Sequence, residues 1–257
     1  MFLFLSGFAK KWLFFLLTIL LISVSLWYLV NDVSGLKIFS LMNDIIPQTA
    51  PFLNTQDLAW SENLRAHTDE IRQEYYAYIN SGKKLPSYDA IIHNRPDTSD
   101  TFKHWKIIIL RTYNKDTNNM NFFPKLQQYI ASIPGCSVVM FSLLDPREKI
   151  GAHRGPNRGV LRYHLAIETP PILVRDNCYL VVNNIKYSWK NGQDVLFDDT
   201  YSHYVINDTD YTRVVLFLDI EKPLTGYKKY LNKLVLLVSP YNGRVKKIVE
   251  RVNDYSA

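Results

Sequence analysis

Cysteine is nearly missing from this chain, with two in 257 residues. Cys136 and Cys178 each lie beside a short apolar run, and neither belongs to a C-x-x-C or related spacing, so a zinc module is excluded. Both are read as small buried hydrophobes, with a single disulfide between them as the alternative, and the redox compartment stays open. Internal repeats and low-complexity tracts are also lacking, which removes solenoids and tandem arrays. Strong basic clusters and RNA-binding motifs are absent too, so a formal charge of +6 implies no nucleic-acid partner. The lysines and arginines that do gather lie between Lys228 and Arg251, where a membrane-adjacent patch and a solvated helix face are both open readings.

Charge is absent from one long stretch, Trp12 to Val30 (WLFFLLTILLISVSLWYLV). At about 1.5 Å per residue, a helix there is just long enough to cross a hydrocarbon core of about 30 Å. Trp12 and the Trp27-Tyr28 pair suit the two interfaces. No small-residue cleavage site follows, so an uncleaved anchor over 12–30 is expected behind a short segment 1–11. Lys10 and Lys11 precede the run while Asp32 and Lys37 follow it. That bias places the N-terminus in the cytoplasm and the remaining chain on the lumenal or extracytoplasmic side, with the cytoplasmic face as the alternative.

The remaining length suits one domain. Residues 31–53 read as a connector that pauses at Pro47 and Pro51. Thr55 reads as an N-cap, with Asp57 in the first turn of a helix that carries Leu58, Leu64, Ile71 and Tyr78 on one face. That helix runs to about Ile79 and closes at Asn80-Ser81-Gly82. A loop to Thr101, a strand Trp105 to Arg111, an exposed loop Tyr113 to Asn121 and a helix Phe122 to Ile133 complete an N-terminal part over 54–135. Over 136–222, short apolar runs alternate with turns rich in Gly, Pro, Asn and Asp. The runs are Val138 to Leu144, Leu161 to Ile167, Tyr179 to Val182, Val195 to Phe197 and Val214 to Ile220. This is the pattern of an all-β sandwich or barrel. His153 and His203 lie within it, and imidazoles at strand ends can converge from distant positions. Residues 223–257 form a basic tail.

The same region carries FSLLDP at 141–146, His153-Arg154-Gly155-Pro156, Leu161-Arg162-Tyr163-His164-Leu165, Trp189 with Gly192, Phe197-Asp198-Asp199 with Ser202-His203, and Arg213 through Asp219. In that order and spacing it resembles the aspartyl/asparaginyl β-hydroxylase family of iron(II)- and 2-oxoglutarate-dependent dioxygenases, which includes the bacterial lipid A acyl-chain hydroxylases. The resemblance implies a mainly β fold, a double-stranded β-helix of jelly-roll or cupin type with flanking α-helices. It also implies an enzyme that uses iron(II), 2-oxoglutarate and dioxygen to hydroxylate an unactivated carbon.

By the same resemblance His153 and His203 hold the iron. Arg213 takes the far carboxylate of 2-oxoglutarate, which a guanidinium can grip through two parallel hydrogen bonds. Ser142 and His164 match the other 2-oxoglutarate contacts. Arg162, which points the same way as His164 in a regular strand, holds 2-oxoglutarate or an acidic part of the substrate. Asp198 and Asp199 would orient an imidazole. The carboxylate that such oxygenases usually place two residues after the first histidine is replaced here by Gly155. The animal protein hydroxylases of the family share that glycine and let water fill the position, whereas the lipid hydroxylases carry Asp. Gly155 and the lumen-facing topology favour an Asp or Asn side chain in a protein as substrate. LRYHL, YSW, DIEKP, Val160 and the basic tail favour a lipid acyl chain. A non-catalytic binding module on the same fold is the further alternative. His67, His93 and His104 receive no role, and the glycosylation sequon at Asn207 is expected to stay unused.

Overall fold

The computed structural model describes residues 7–30, 37–56, 58–93 and 105–256. Asp32, Asp57 and His104, and the topology and capping arguments that use the first two, lie outside them. Helices α1 (Gly7–Val30) and α2 (Lys37–Ile45) precede a short strand β1 (Phe52–Leu53), and helices α3 (Ala59–Ala66) and α4 (Thr68–Asn80) follow. Next come β2 (Trp105–Thr112), β3 (Lys115–Asp116) and α5 (Pro124–Ile130), then β4 (Val138–Leu144), β5 (Lys149–His153) and β6 (Val160–Glu168). The strands β7 (Cys178–Val182), β8 (Ile185–Ser188), β9 (Asp194–Phe197), β10 (His203–Asn207) and β11 (Arg213–Glu221) lead to helices α6 (Gly226–Val238) and α7 (Gly243–Ser256).

The strands form two antiparallel sheets, a larger one ordered β1-β9-β6-β11-β4-β2-β3 and a smaller one ordered β5-β10-β7-β8. This is a jelly-roll arrangement with helices outside it. Each central strand of the larger sheet is covered on both faces, which is why its sequence reads as an unbroken apolar run. The period of two still sorts the side chains. Val139, Phe141 and Leu143 on β4, Leu161, Tyr163 and Leu165 on β6, and Leu216 and Leu218 on β11 join Leu64, Ile71 and Leu126 of α3, α4 and α5 in an outer core. Met140, Ala166, Val215 and Phe217 point the other way, into a core shared with Leu180, Val182 and Val205 of the smaller sheet and with Ile248 and Val252 of α7. The strands therefore extend beyond 136–222, and the basic tail is a pair of packed helices.

The helix expected to start at Thr55 is broken in two. Leu58 takes the N-cap position of α3 without a side-chain bond, because the Thr55 hydroxyl donates to Asp194 Oδ1 at 3.0 Å. At the break, the His67 ring bonds Asn63 O at 2.8 Å and Thr68 Oγ1 donates to Arg65 O at 2.8 Å, so side chains satisfy carbonyls that a continuous helix would use. The expected loop at 113–121 contains a hairpin instead. Tyr113 and Asn114 both take positive φ, the requirement of a tight primed turn, and a 3-10 turn at Asn118–Phe122 follows. Cys136 and Cys178 are free and buried, so the disulfide alternative fails. Among the described residues no helix is long and apolar enough to cross a membrane. Helix α1 occupies the expected stretch. The single-pass anchor over 12–30, and both placements of the domain built on it, are withdrawn.

Asn207, the asparagine of the sequon, has a fully buried side chain. Nδ2 donates to Leu144 O at 3.2 Å, Asp145 O at 2.9 Å and Tyr211 O at 2.8 Å. Asn207→Ala would leave those carbonyls short of a donor and is expected to lower unfolding free energy by about 2–4 kcal/mol. Urea denaturation checks this, and a loss under about 0.5 kcal/mol would mean that water replaces the amide.

Candidate active site

One phase of the larger sheet is polar. Ser142 on β4, Arg162 and His164 on β6, and Arg213 and Asp219 on β11 all share the face that looks toward the smaller sheet, because each is an even number of residues from a neighbour on that face. Register then makes pairs: Asp219 lies opposite Arg162 and Phe217 opposite His164. From the facing sheet, the end of β5 and the start of β10 bring His153 and His203 directly opposite each other. Their ring centroids are 4.1 Å apart.

Each imidazole is oriented by a backbone carbonyl. His153 Nδ1 lies 2.8 Å from Gly151 O, and His203 Nδ1 lies 3.0 Å from Tyr201 O. A carbonyl only accepts, so Nδ1 carries the proton in both rings and Nε2 holds the lone pair. Burial keeps the rings neutral, lowering the His153 pKa and pushing His203 down to about 3, aided by His153 beside it. Two bare nitrogens in neighbouring rings are a ready metal-binding pair. Among the described residues no third His, Cys, Asp or Glu completes a metal cluster with them.

Arg213 is 1% exposed. Its guanidinium lies 4.9 Å from the Trp189 ring centroid, Nη1 makes long bonds of 3.4 Å to Ser142 O and Oγ, and Nε and Nη2 have no partner. Burial depresses its pKa to about 10. His164 beside it has neither ring nitrogen bonded, and burial, then Arg213, pushes its pKa well down. Ser142 Oγ accepts from Trp105 Nε1 at 2.9 Å, which leaves its own hydrogen to donate. A buried cation without a carboxylate, ringed by unused donors, is complementary to an anion.

Arg162, expected to be free for a ligand, is already bound. Nε and Nη2 grip Asp219 at 2.9 and 3.1 Å, and Nη2 meets Asp199 Oδ2 at 2.8 Å. Burial lowers the Arg162 pKa, but the two aspartates hold it above the ordinary range. Asp198 and Asp199 face opposite ways. Asp198 is structural: it accepts from Thr49, from Thr200 at 2.6 Å and from Lys222 Nζ at 2.9 Å. Asp199 faces the site with Oδ1 unbonded, and burial raises its pKa, opposed by Arg162 and reinforced by Asp219. A Cβ built on Gly155 would fall inside the Asp199 carboxylate, overlapping both oxygens. The space beside Gly155 is taken by that carboxylate, whose turn is pinned by Gly155 N donating to Asp199 O at 2.8 Å. Asp219, Trp105 and Lys222 escaped the reading of the sequence. Asp219 was detectable, since it is in phase with Arg213 along β11.

A cavity of about 220 Å³ opens from this polar end. His153, Arg162, Asp199 and Asp219 line one part, and Ile92, Ile109, Met140, Phe217, Val245 and Ile248 are among the residues that line the rest. Arg213 and His164 are not among the residues that line it.

The profile of a family described as Aspartyl/Asparaginyl beta-hydroxylase matches residues 65–223. The chain is similar to an ornithine lipid ester-linked acyl 2-hydroxylase of Rhizobium tropici, at 31% identity over 206 residues, spanning 80% of this chain and 72% of that one. It is similar to the human aspartyl/asparaginyl beta-hydroxylase at 27% identity over 160 residues, spanning 60% of this chain but only 20% of that protein. Among solved structures, a predicted oxalate decarboxylase of Thermotoga maritima overlaps 55% of this chain and 96% of its own, at 11% identity and a TM-score of 0.34.

Replacing the unpaired cation with an apolar residue of similar length, Arg213→Met, is expected to stabilise the ligand-free protein by about 1–4 kcal/mol, read by denaturation; a destabilised variant would mean that the charge has an unseen partner. His203 takes a proton near pH 6.5 when unfolded but only near about 3 when folded. Stability is therefore lost as pH falls through that window, since the unfolded state binds the extra proton. Wild type is expected to lose melting temperature more steeply than His203→Gln between about pH 7 and 5, and parallel curves would remove this assignment.

Proposed function

Since this chain belongs to the aspartyl/asparaginyl β-hydroxylase family, we propose that it is an iron(II)- and 2-oxoglutarate-dependent hydroxylase acting on the acyl chain of a lipid. The site's residues fit both groups. His153 and His203 present the two lone-pair nitrogens that would hold iron. Asp199 Oδ1 stands unbonded where a side chain at 155 would reach. The unpaired Arg213 guanidinium, with His164 and the Ser142 hydroxyl, would take the far carboxylate of 2-oxoglutarate. Iron(II) and 2-oxoglutarate together supply oxidising power from dioxygen: one oxygen atom goes to a C–H bond of the substrate, the other to succinate, and carbon dioxide leaves.

The protein's own work is positioning and exclusion of water. The Nδ1–H bonds to Gly151 O and Tyr201 O fix both rings, and Arg162 holds Asp199 in place as a positioning residue. The observation that carries the substrate reading is the cavity beside His153. Most of its lining surface is apolar, with Ile92, Ile109, Met140, Phe217, Val245 and Ile248 contributing, which suits methylene groups and helps exclude water from the reacting carbon. At its polar end Arg162 engages both Asp199 and Asp219, and Arg154 and Arg244 also line the cavity. The similarity to an ornithine lipid acyl hydroxylase supports the lipid reading.

Anaerobic addition of iron(II) and 2-oxoglutarate is expected to give the visible charge-transfer band of chelated 2-oxoglutarate, lost in His153→Ala and weakened at least tenfold in apparent affinity in Arg213→Met. With an acylated lipid present, succinate should form in step with a hydroxylated acyl product, and His203→Ala should abolish both. Turnover with an Asp- or Asn-bearing peptide and none with lipid would replace the lipid reading by the protein one. Normal turnover in His203→Ala would sink the hydroxylase assignment.

A further inference from the structure

Helix α6 is apolar on two opposite sides. Its inner side buries Asn232, Val235 and Leu236, with Asn232 Nδ2 donating to Gly159 O at 2.8 Å and Leu236 O accepting from Asn114 Nδ2 at 3.1 Å. Val235 also packs on Phe39, Met42 and Ile46. Its outer side carries Tyr227, Tyr230, Leu231 and Leu234 at the i, i+3, i+4, i+7 spacing of one helix face, continued by Leu237 and by Tyr241 just beyond the helix. Tyr230, Leu234, Leu237 and Tyr241 are 73%, 51%, 67% and 74% exposed. A continuous apolar stripe of this kind marks a contact surface.

Charge selects the occupant. Lys228, Lys229 and Lys233 flank the stripe, and α6 contains no acidic residue. A second copy would set one lysine row against another, whereas an anionic surface would neutralise both. The stripe also mixes leucines with exposed tyrosines, side chains whose apolar rings and polar tips suit the headgroup boundary, while lysine stems can lie along the apolar face with their ammonium groups in water. The cavity beside the histidine pair reaches this place, since Val238, Ser239 and Asn242, at the turn between α6 and α7, line it.

We propose that the outer face of α6 docks on an anionic lipid bilayer and holds the adjoining end of the cavity against it, so that an acyl chain passes inward without crossing water. Docking is independent of iron chemistry; its link to acyl entry rests on the acyl-chain reading above. The full chain with Leu234→Cys, labelled with an environment-sensitive fluorophore, reports the contact locally, because Cys136 and Cys178 are buried. Without iron or 2-oxoglutarate, a blue shift and flotation are expected with vesicles of phosphatidylcholine mixed with phosphatidylglycerol, and little of either with phosphatidylcholine alone. Lys229→Ala with Lys233→Ala should weaken binding about tenfold or more, and Tyr230→Glu with Leu237→Glu, which keeps the label at 234, should remove the α6 contact. Unshifted emission on the mixed vesicles overturns the proposal, as does self-association that Tyr230→Glu with Leu237→Glu abolishes. Turnover of a short-chain, water-dispersed acyl substrate is measured alongside and should be unchanged in Tyr230→Glu with Leu237→Glu. Absence of that turnover in wild type would remove the hydroxylase reading and leave the docking result standing.

Discussion

A guanidinium buried between two sheets without a carboxylate is the constraint on which this molecule turns. Arg213 has lost its water, has no acid paired with it among the described residues and keeps two nitrogens unbonded. Such a group destabilises the fold by itself and persists only where the surrounding structure is rigid enough to hold it. The rigidity comes from β11 lying between β4 and β6 with both faces covered. A sheet half open to solvent would let water reach the charge and remove its pull on an anion. The same desolvation keeps His203, His164 and His153 neutral, which is the state in which an imidazole can act as a ligand.

Arg162, two strands away from Ser142 on the same face, meets the opposite fate. Asp219 across the ladder and Asp199 from the turn after β9 both claim it, and it fixes both carboxylates in place. Gly155 belongs to this arrangement. The lack of a Cβ there lets the Asp199 carboxylate occupy the space, so the glycine is a steric allowance for an acid that arrives from elsewhere in the chain. Asp198, one residue earlier, is spent on the Lys222 ion pair and on the Thr49 segment, which anchors this turn to the connector before β1.

The cavity and α6 connect the site to its surroundings. At the polar end Arg162 engages two carboxylates, most of the lining surface is apolar, and the far end lies under a helix whose outer face has no covering among the described residues. Packing of α7 through Ile248 and Val252 into the inter-sheet core ties the position of that helix pair to the same β scaffold that sets the histidine pair.

The chain's sequence by itself determined the β character of 136–222, the five longest apolar strands, and the grouping of Ser142, His164 and Arg213, because period-two placement and family likeness are local properties of the text. It did not disclose β5 or β10, the two strands that bear His153 and His203. Those segments are short and partly polar, lie in the smaller sheet, and carry no apolar run. Nor could it separate Asp198 from Asp199, or show Arg162 as engaged, since which carboxylate faces a guanidinium depends on register between strands far apart in the chain. The apolar stretch at 12–30 reads as an anchor from its uncharged run, its flanking aromatics and the lack of a cleavage site, yet among the described residues no helix is long and apolar enough to cross a membrane. Only tertiary structure decided these points, because ion pairing, desolvation and the shape of a cavity arise between segments that the sequence does not place side by side.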